Sequence, residues 1–146
     1  MVDNITDKVH CFASAPYLNY PTYDSNWLTV GRPLIKLDPI SGEGTPFALR
    51  SAILAAAVID GICQNPDRKS ALLNHYQHRL LQSFISHLQG CQNYYHSAFA
   101  SSNTWEKEIG EMAMINQYLS ESFSSLTKSN FDYQLVGWKL GELAKV

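Results

Sequence analysis

The sequence predicts a mainly α-helical chain with a short β portion at its N-terminal end. Three observations predict it. Leu72, Tyr76, Leu80, Phe84 and Leu88 recur every four residues, with Leu73, Leu81 and Ile85 beside them; this is the period of a helix with one apolar face. Thr45-Pro46 opens an alanine-rich apolar run that reaches Ile59. The compact β-prone runs, "KVHCFAS" and "WLTVG", both lie before residue 32.

The elements follow in order. Lys8 to Ser14 is expected as a short strand. "APYLNYPTYDSN", rich in Tyr, Pro and Asn, reads as a loop. Trp27 to Gly31 is expected as a buried strand ending on glycine. Arg32 to Thr45 holds two prolines before Thr45 and two glycines, and should be irregular. Thr45 can cap a helix with its hydroxyl, and Pro46 suits a first helical position because its missing N–H costs nothing there. That helix should run from Pro46 to about Cys63, with Ala48, Ala52, Ala55, Ala56 and Ile59 on one side, where small side chains allow close approach. Asn65-Pro66 ends it. A second helix follows from about Pro66 to Leu88, with Gly90 as terminator unless the pattern resumes through Tyr94 and Tyr95. A third falls within Trp105 to Phe123, and Tyr133 to Lys145 reads as a last short helix. The chain therefore divides into residues 1–45, strands and a glycine loop, and residues 46–146, a helical region.

The totals exclude several classes. Eleven basic and thirteen acidic residues among 146 give a formal net charge of −2, with no basic run. Nucleic acid and anionic membrane surfaces are poor partners for such a chain. An apolar content of 45% is ordinary for a globular protein. Cys11, Cys63 and Cys91 are odd in number and widely spaced, which fits a reducing cytoplasm rather than a disulfide framework. "MVDNITDKVHCF" lacks the pattern of a secretory signal. The longest unbroken apolar stretch, Ala52 to Ile59, is too short to span a bilayer.

The most informative stretch is "LDPISGEGTPFALRSAILAAAVIDG", Leu37 to Gly61. It sets a bare glycine turn against a helix start, where unpaired amides and the helix dipole favour anionic or electron-rich groups. Gly42 and Gly44 would let a ligand approach the main chain. A phosphate-binding P-loop needs Lys-Ser/Thr after its second glycine, and this chain has Thr-Pro-Phe. A dinucleotide fingerprint needs a third glycine where Phe47 stands, and Pro46 lacks an amide for a pyrophosphate. Both patterns fail. On physics alone the turn is either a structural loop or a ligand-facing one.

"NWLTVGRPLIKLDPISGEGTPFALRSAILAA", Asn26 to Ala57, resembles the second flavin-contacting segment of FAD-dependent monooxygenases and halogenases of the para-hydroxybenzoate hydroxylase-like fold. Their stretch reads roughly W-L-x-V-G-D-A-A-x-x-x-D-P-L-S-G-x-G-I-x-x-A-L. Trp27, Leu28, Val30, Gly31, Asp38, Pro39, Ser41, Gly42, Gly44, Ala48 and Leu49 match it. The order Tyr94, Tyr95, Trp105 downstream is similar to the helical C-terminal part of the tryptophan-halogenase-like branch. The similarity spans about residues 8 to 110. It implies that the chain is the C-terminal portion of an α/β, Rossmann-like FAD-binding oxidoreductase. It further implies that Gly31, Arg32, Asp38, Pro39, Ser41, Gly42 and Gly44 contact the cofactor, with the loop and helix start facing the isoalloxazine. In the halogenases the same loop lies near the halide, around Ser41 and Gly42.

Two departures qualify what is implied. The family's G-D aspartate is Arg32 here, followed by Pro33, and a guanidinium cannot accept the ribityl hydrogen bonds that a carboxylate accepts. Arg32 suits a phosphate instead. A G-x-G-x-x-G dinucleotide-binding half and the Gly-Trp-x-Trp-x-Ile-Pro motif are also missing from these residues. The expectation is a truncated product, split subunit or remnant, inactive alone, with an N-terminal FAD-binding half or another chain as partner. The alternative is a non-catalytic helical interaction or scaffold protein. No residue is assigned a catalytic role.

Other constellations are weaker. His75 and His78 sit three apart on the second helix, but zinc needs three or four ligands, so no metal is expected. His87 and His96 are at no helical spacing with them and read as solvated or interface residues. Cys63 and Cys91 lack an adjacent cation to activate a thiol. Glu106, Glu108 and Glu111 complement a helix start. Tyr76, Phe84, Tyr94, Tyr95 and Trp105 read first as core packing and second as cavity lining.

Overall fold

The computed structural model describes residues 15–99, 106–122, 133–136 and 139–142. It is mainly helical. Two short strands, β1 (Tyr17–Leu18) and β2 (Ile35–Lys36), pair antiparallel with Tyr17 opposite Lys36. A 3-10 turn at Pro39–Ser41 leads into α1 (Gly44–Gln64). A second 3-10 turn at Pro66–Arg68 joins α1 to α2 (Lys69–Phe99), and α3 (Glu106–Ser122) packs along α2. The last described elements, β3 (Tyr133–Val136) and β4 (Lys139–Glu142), form an antiparallel hairpin whose β4 lies beside α1.

α1 starts earlier than Thr45 allows. Glu43 is its N-cap, without a side-chain capping bond, and Thr45 and Pro46 lie inside the first turn. Proline is tolerated there because the first four amides of a helix have no intrahelical acceptor. The helix ends as expected: Asn65 turns extended ahead of Pro66. α1 buries Phe47, Ser51, Leu54, Ala55 and Val58, the i, i+4, i+7, i+8, i+11 stripe of a helix on a core. Ala52, Ala56 and Ile59, expected at a close contact, face outward instead. Of the same set, Ala55 is buried in the core and Ala48 lies against Gly31. By length and composition α1 is apolar enough to cross a membrane, with a mean hydropathy of 1.6 over the span, of which 33% is buried within the fold. The unbroken apolar run of eight residues hid this, because the helix around it is also mostly apolar.

α2 is longer than its expected end at Leu88. It passes through Gly90, where an added Cβ would meet open space, and continues through Cys91 and Tyr95. A mid-helix glycine costs about 1 kcal/mol relative to alanine, less than the packing of the residues beyond it returns. Leu72, Tyr76, Leu80, Phe84 and Leu88 are all buried, joining Leu34, Ile35, Phe47, Leu54 and Val58 in one core. Each such large apolar side chain contributes about 1.5–3 kcal/mol by burial.

Three expectations need correction. Trp27–Gly31 is not a strand: Leu28 makes a single bridge to Tyr23, and Trp27 and Val30 are exposed. Its backbone is satisfied otherwise, Thr29 N–H by Thr22 O at 3.0 Å and Thr29 O by the Tyr76 hydroxyl at 2.6 Å. The stretch read as loop and irregular segment contains β1 and β2. The tail is not a helix but the β3–β4 hairpin. The expected strand Lys8–Ser14 and Trp105 lie outside the described residues.

Candidate functional site

The loop from Asp38 to Gly44 is built around one buried aspartate, 7% exposed. Asp38 caps the 3-10 turn: its Oδ1 accepts from Ile40 N–H at 2.9 Å, and Pro39 takes the first position. Its carbonyl accepts from the Ser41 hydroxyl at 2.8 Å. Gly42 closes the turn with φ of 64°, a left-handed conformation that only glycine adopts freely. Ser41 Oγ then accepts from Glu43 N–H at 3.2 Å, and Glu43 pairs with Arg50. The chain is thereby turned directly into α1.

α2 grips this loop from behind. His87, Cys91 and Tyr95 stand four residues apart on one face of the helix. Tyr95 donates its hydroxyl to Asp38 Oδ2 at 2.9 Å. Asp38 N–H donates to His87 Nε2 at 2.8 Å, and the Cys91 sulfur lies 3.4 Å from the same nitrogen. Nε2 must be unprotonated to accept, so the neutral ring carries its proton on Nδ1. Burial holds His87 below the usual histidine range, against the opposing pull of the Asp38 and Glu43 carboxylates. Burial, then the Asp38 carboxylate, pushes the Cys91 thiol up to about 11. Burial, then the hydrogen bond to Asp38, pushes Tyr95 up to about 12. Tyr95 therefore stays a donor, and Cys91 stays a thiol rather than a nucleophilic thiolate at neutral pH.

In front of the loop lies an open cleft of about 640 Å³ between β2 and the start of α1. Arg32, Asp38, Pro39, Gly42 and Gly44 line it, joined by Lys36 and Thr45. An added Cβ at Gly42 or Gly44 would meet nothing within 4 Å, so the main chain there is open to a ligand. Two residues expected at the cofactor do not line this cleft. Ser41 faces a smaller pocket of about 270 Å³ on the α2 side, with His87, Cys91 and Tyr94. Gly31 is buried behind the cleft: its N–H donates to Ser51 Oγ at 3.0 Å, its φ is 66°, and an added Cβ would lie 3.4 Å from Ala48 Cβ.

The remaining candidates separate. His75 is buried, and burial lowers the pKa of His78. Among the described residues no three His, Cys, Asp or Glu side chains gather in a metal-binding group. Tyr76 and Phe84 belong to the core, whereas Tyr94 is exposed and meets Tyr95 edge-on at 5.9 Å. Cys63 is exposed. Glu106 and Glu111 are exposed on α3, Glu111 with Lys107 at 3.8 Å, and Glu108 lies in the same helix. The sequence reading missed His87 and Tyr95 as loop anchors, although their spacing with Cys91 was visible. No family model, curated protein or solved structure matches the chain.

Proposed function

We propose that this chain is the C-terminal portion of an FAD-dependent oxidoreductase, monooxygenase or halogenase-like, and that it needs a dinucleotide-binding half to hold its cofactor. One observation carries the reading. The flavin-like motif of Gly31 to Gly44 borders a cleft of about 640 Å³, within the roughly 300–1,000 Å³ of small-molecule sites. The bare glycines and the α1 amides suit the electron-rich edge of a flat ring. Arg32 and Lys36 add positive charge at the rim.

The fit is to part of the cofactor. Asp38 gives one carboxylate oxygen to Ile40 N–H in the loop and the other to the Tyr95 hydroxyl on α2, so it shapes the wall of the cleft. Arg32 stands where a ribityl acceptor belongs and suits a phosphate instead. A reduced flavin would supply oxygen activation; this chain would supply the amides and the rim that orient it. A cytoplasmic setting goes with this reading. The second reading, a helical interaction protein, is favoured by exposed Leu49 and Ile59 on α1 and by Met114 and Tyr118 on α3.

The test is flavin binding. The chain titrated alone with FAD should form no stoichiometric micromolar complex. Joined to a G-x-G-x-x-G half, in one polypeptide or in trans, it should copurify with flavin, and more so with Arg32→Asp. Joined wild-type and Arg32→Asp proteins that both fold without flavin would refute the oxidoreductase reading and leave the interaction reading.

A further inference from the structure

Two hydrogen bonds hold Asp38 of the glycine loop to α2, one from the Tyr95 hydroxyl and one to a ring nitrogen of His87. Asp38 N–H donates to His87 Nε2 at 2.8 Å. That nitrogen has a single lone pair, available only while it carries no proton. Once protonated it becomes a donor and faces another donor. Asp38 is 7% exposed, and the bond is partly buried. An amide there that loses its acceptor is left poorly satisfied, which is costly.

We propose that His87 is a proton-controlled latch on the Asp38–Gly44 loop: the neutral ring holds the loop in place, and the protonated ring releases it. The groups around the ring make the exchange directional. From the loop, Asp38 and, at the start of α1, Glu43 present carboxylates; from α2 itself come Cys91 and, across Asp38, Tyr95. A cationic ring is drawn to the Asp38 carboxylate, which is already occupied by Ile40 N–H and the Tyr95 hydroxyl. Protonation therefore breaks the hydrogen bond from Asp38 N–H and competes for the carboxylate with Ile40 N–H, which caps the turn, and with the Tyr95 hydroxyl, which ties it to α2. Asp38, Pro39 and Gly42 line the large cleft, so its rear wall changes with it. Burial keeps the ring neutral at neutral pH, which places release on the acid side of the ordinary histidine range. The inference rests on the loop's own bonds and holds whatever the cleft takes.

The experiment is an NMR pH titration of the full chain from about pH 8 to about pH 5, bracketing the ordinary histidine value of about 6.5. It follows the His87 ring nitrogens and the exchange protection of the Asp38 amide, corrected for intrinsic exchange. Protection should fall about fivefold as the ring titrates, since one lost hydrogen bond of ordinary strength, about 1 kcal/mol, is worth about that factor. In His87→Gln an amide oxygen can accept at any pH, so protection should stay flat. Unchanged wild-type protection across the ring's titration overturns the latch. So does an unaltered pH dependence in His87→Gln, or a loss of protection that accompanies loss of the helical circular dichroism signal.

Discussion

Gly31→Ala tests whether the glycine before Arg32 is required by backbone conformation, by space, or by both. Its φ is 66°, and a left-handed conformation costs an L-residue about 1–2 kcal/mol. An added Cβ would also lie 3.4 Å from Ala48 Cβ on α1, so the contact is close but not a severe clash. Alanine recovers about 0.4–1 kcal/mol by restricting the unfolded chain. The conformational terms net to a loss of about 0–1.6 kcal/mol, and the contact with Ala48 adds to it if α1 must be pushed back. Gly42→Ala is the matched control: φ is 64°, and nothing lies within 4 Å of the added atom. It should lose only the conformational part, about 0–1.6 kcal/mol. Urea unfolding followed by helical circular dichroism measures both, with m-values compared to confirm a common unfolded state. A Gly42→Ala loss equal to or larger than the Gly31→Ala loss would refute the close-approach argument.

Two further outcomes follow from the titrating groups. Stability should fall as pH drops below about 6.5: burial lowers the folded-state value of His87 and His78, so the unfolded chain binds more protons there, and the contribution is complete only above the unfolded value. Urea midpoints against pH should show this slope, reduced in His87→Gln; an acid slope unchanged by that substitution would contradict the assignment. On the alkaline side, Cys91 is raised to about 11 and buried, whereas Cys63 is exposed. At neutral pH a thiol reagent, mapped by mass spectrometry, should label Cys63 at least tenfold faster, as expected where burial withholds the thiolate; equal rates would mean that α2 opens at Cys91.

What the sequence determined by itself was local. The four-residue repeat from Leu72 to Leu88 specified α2 because side chains four apart on a helix share a face, whatever the rest of the chain does. Asn65-Pro66 marked the end of α1 for a similarly local reason, the steric restriction on the residue before proline. The glycine turn and its position at a helix start were legible from residues 38 to 46 alone. Tertiary structure decided the rest. "WLTVG" has strand composition, but its backbone is met by the loop at Thr22 and by the Tyr76 hydroxyl, 47 residues away from Thr29. Gly90 did not end α2, because Cys91 and Tyr95 beyond it pack onto the Asp38 loop. Asp38 reads in sequence only as part of the glycine loop. Its place is set by His87, which accepts from its N–H, and by Tyr95, which donates to its carboxylate, 49 and 57 residues further along. Residue spacing encodes partners within a turn or two of the chain; partners fifty residues apart are chosen by how α2 packs against the loop.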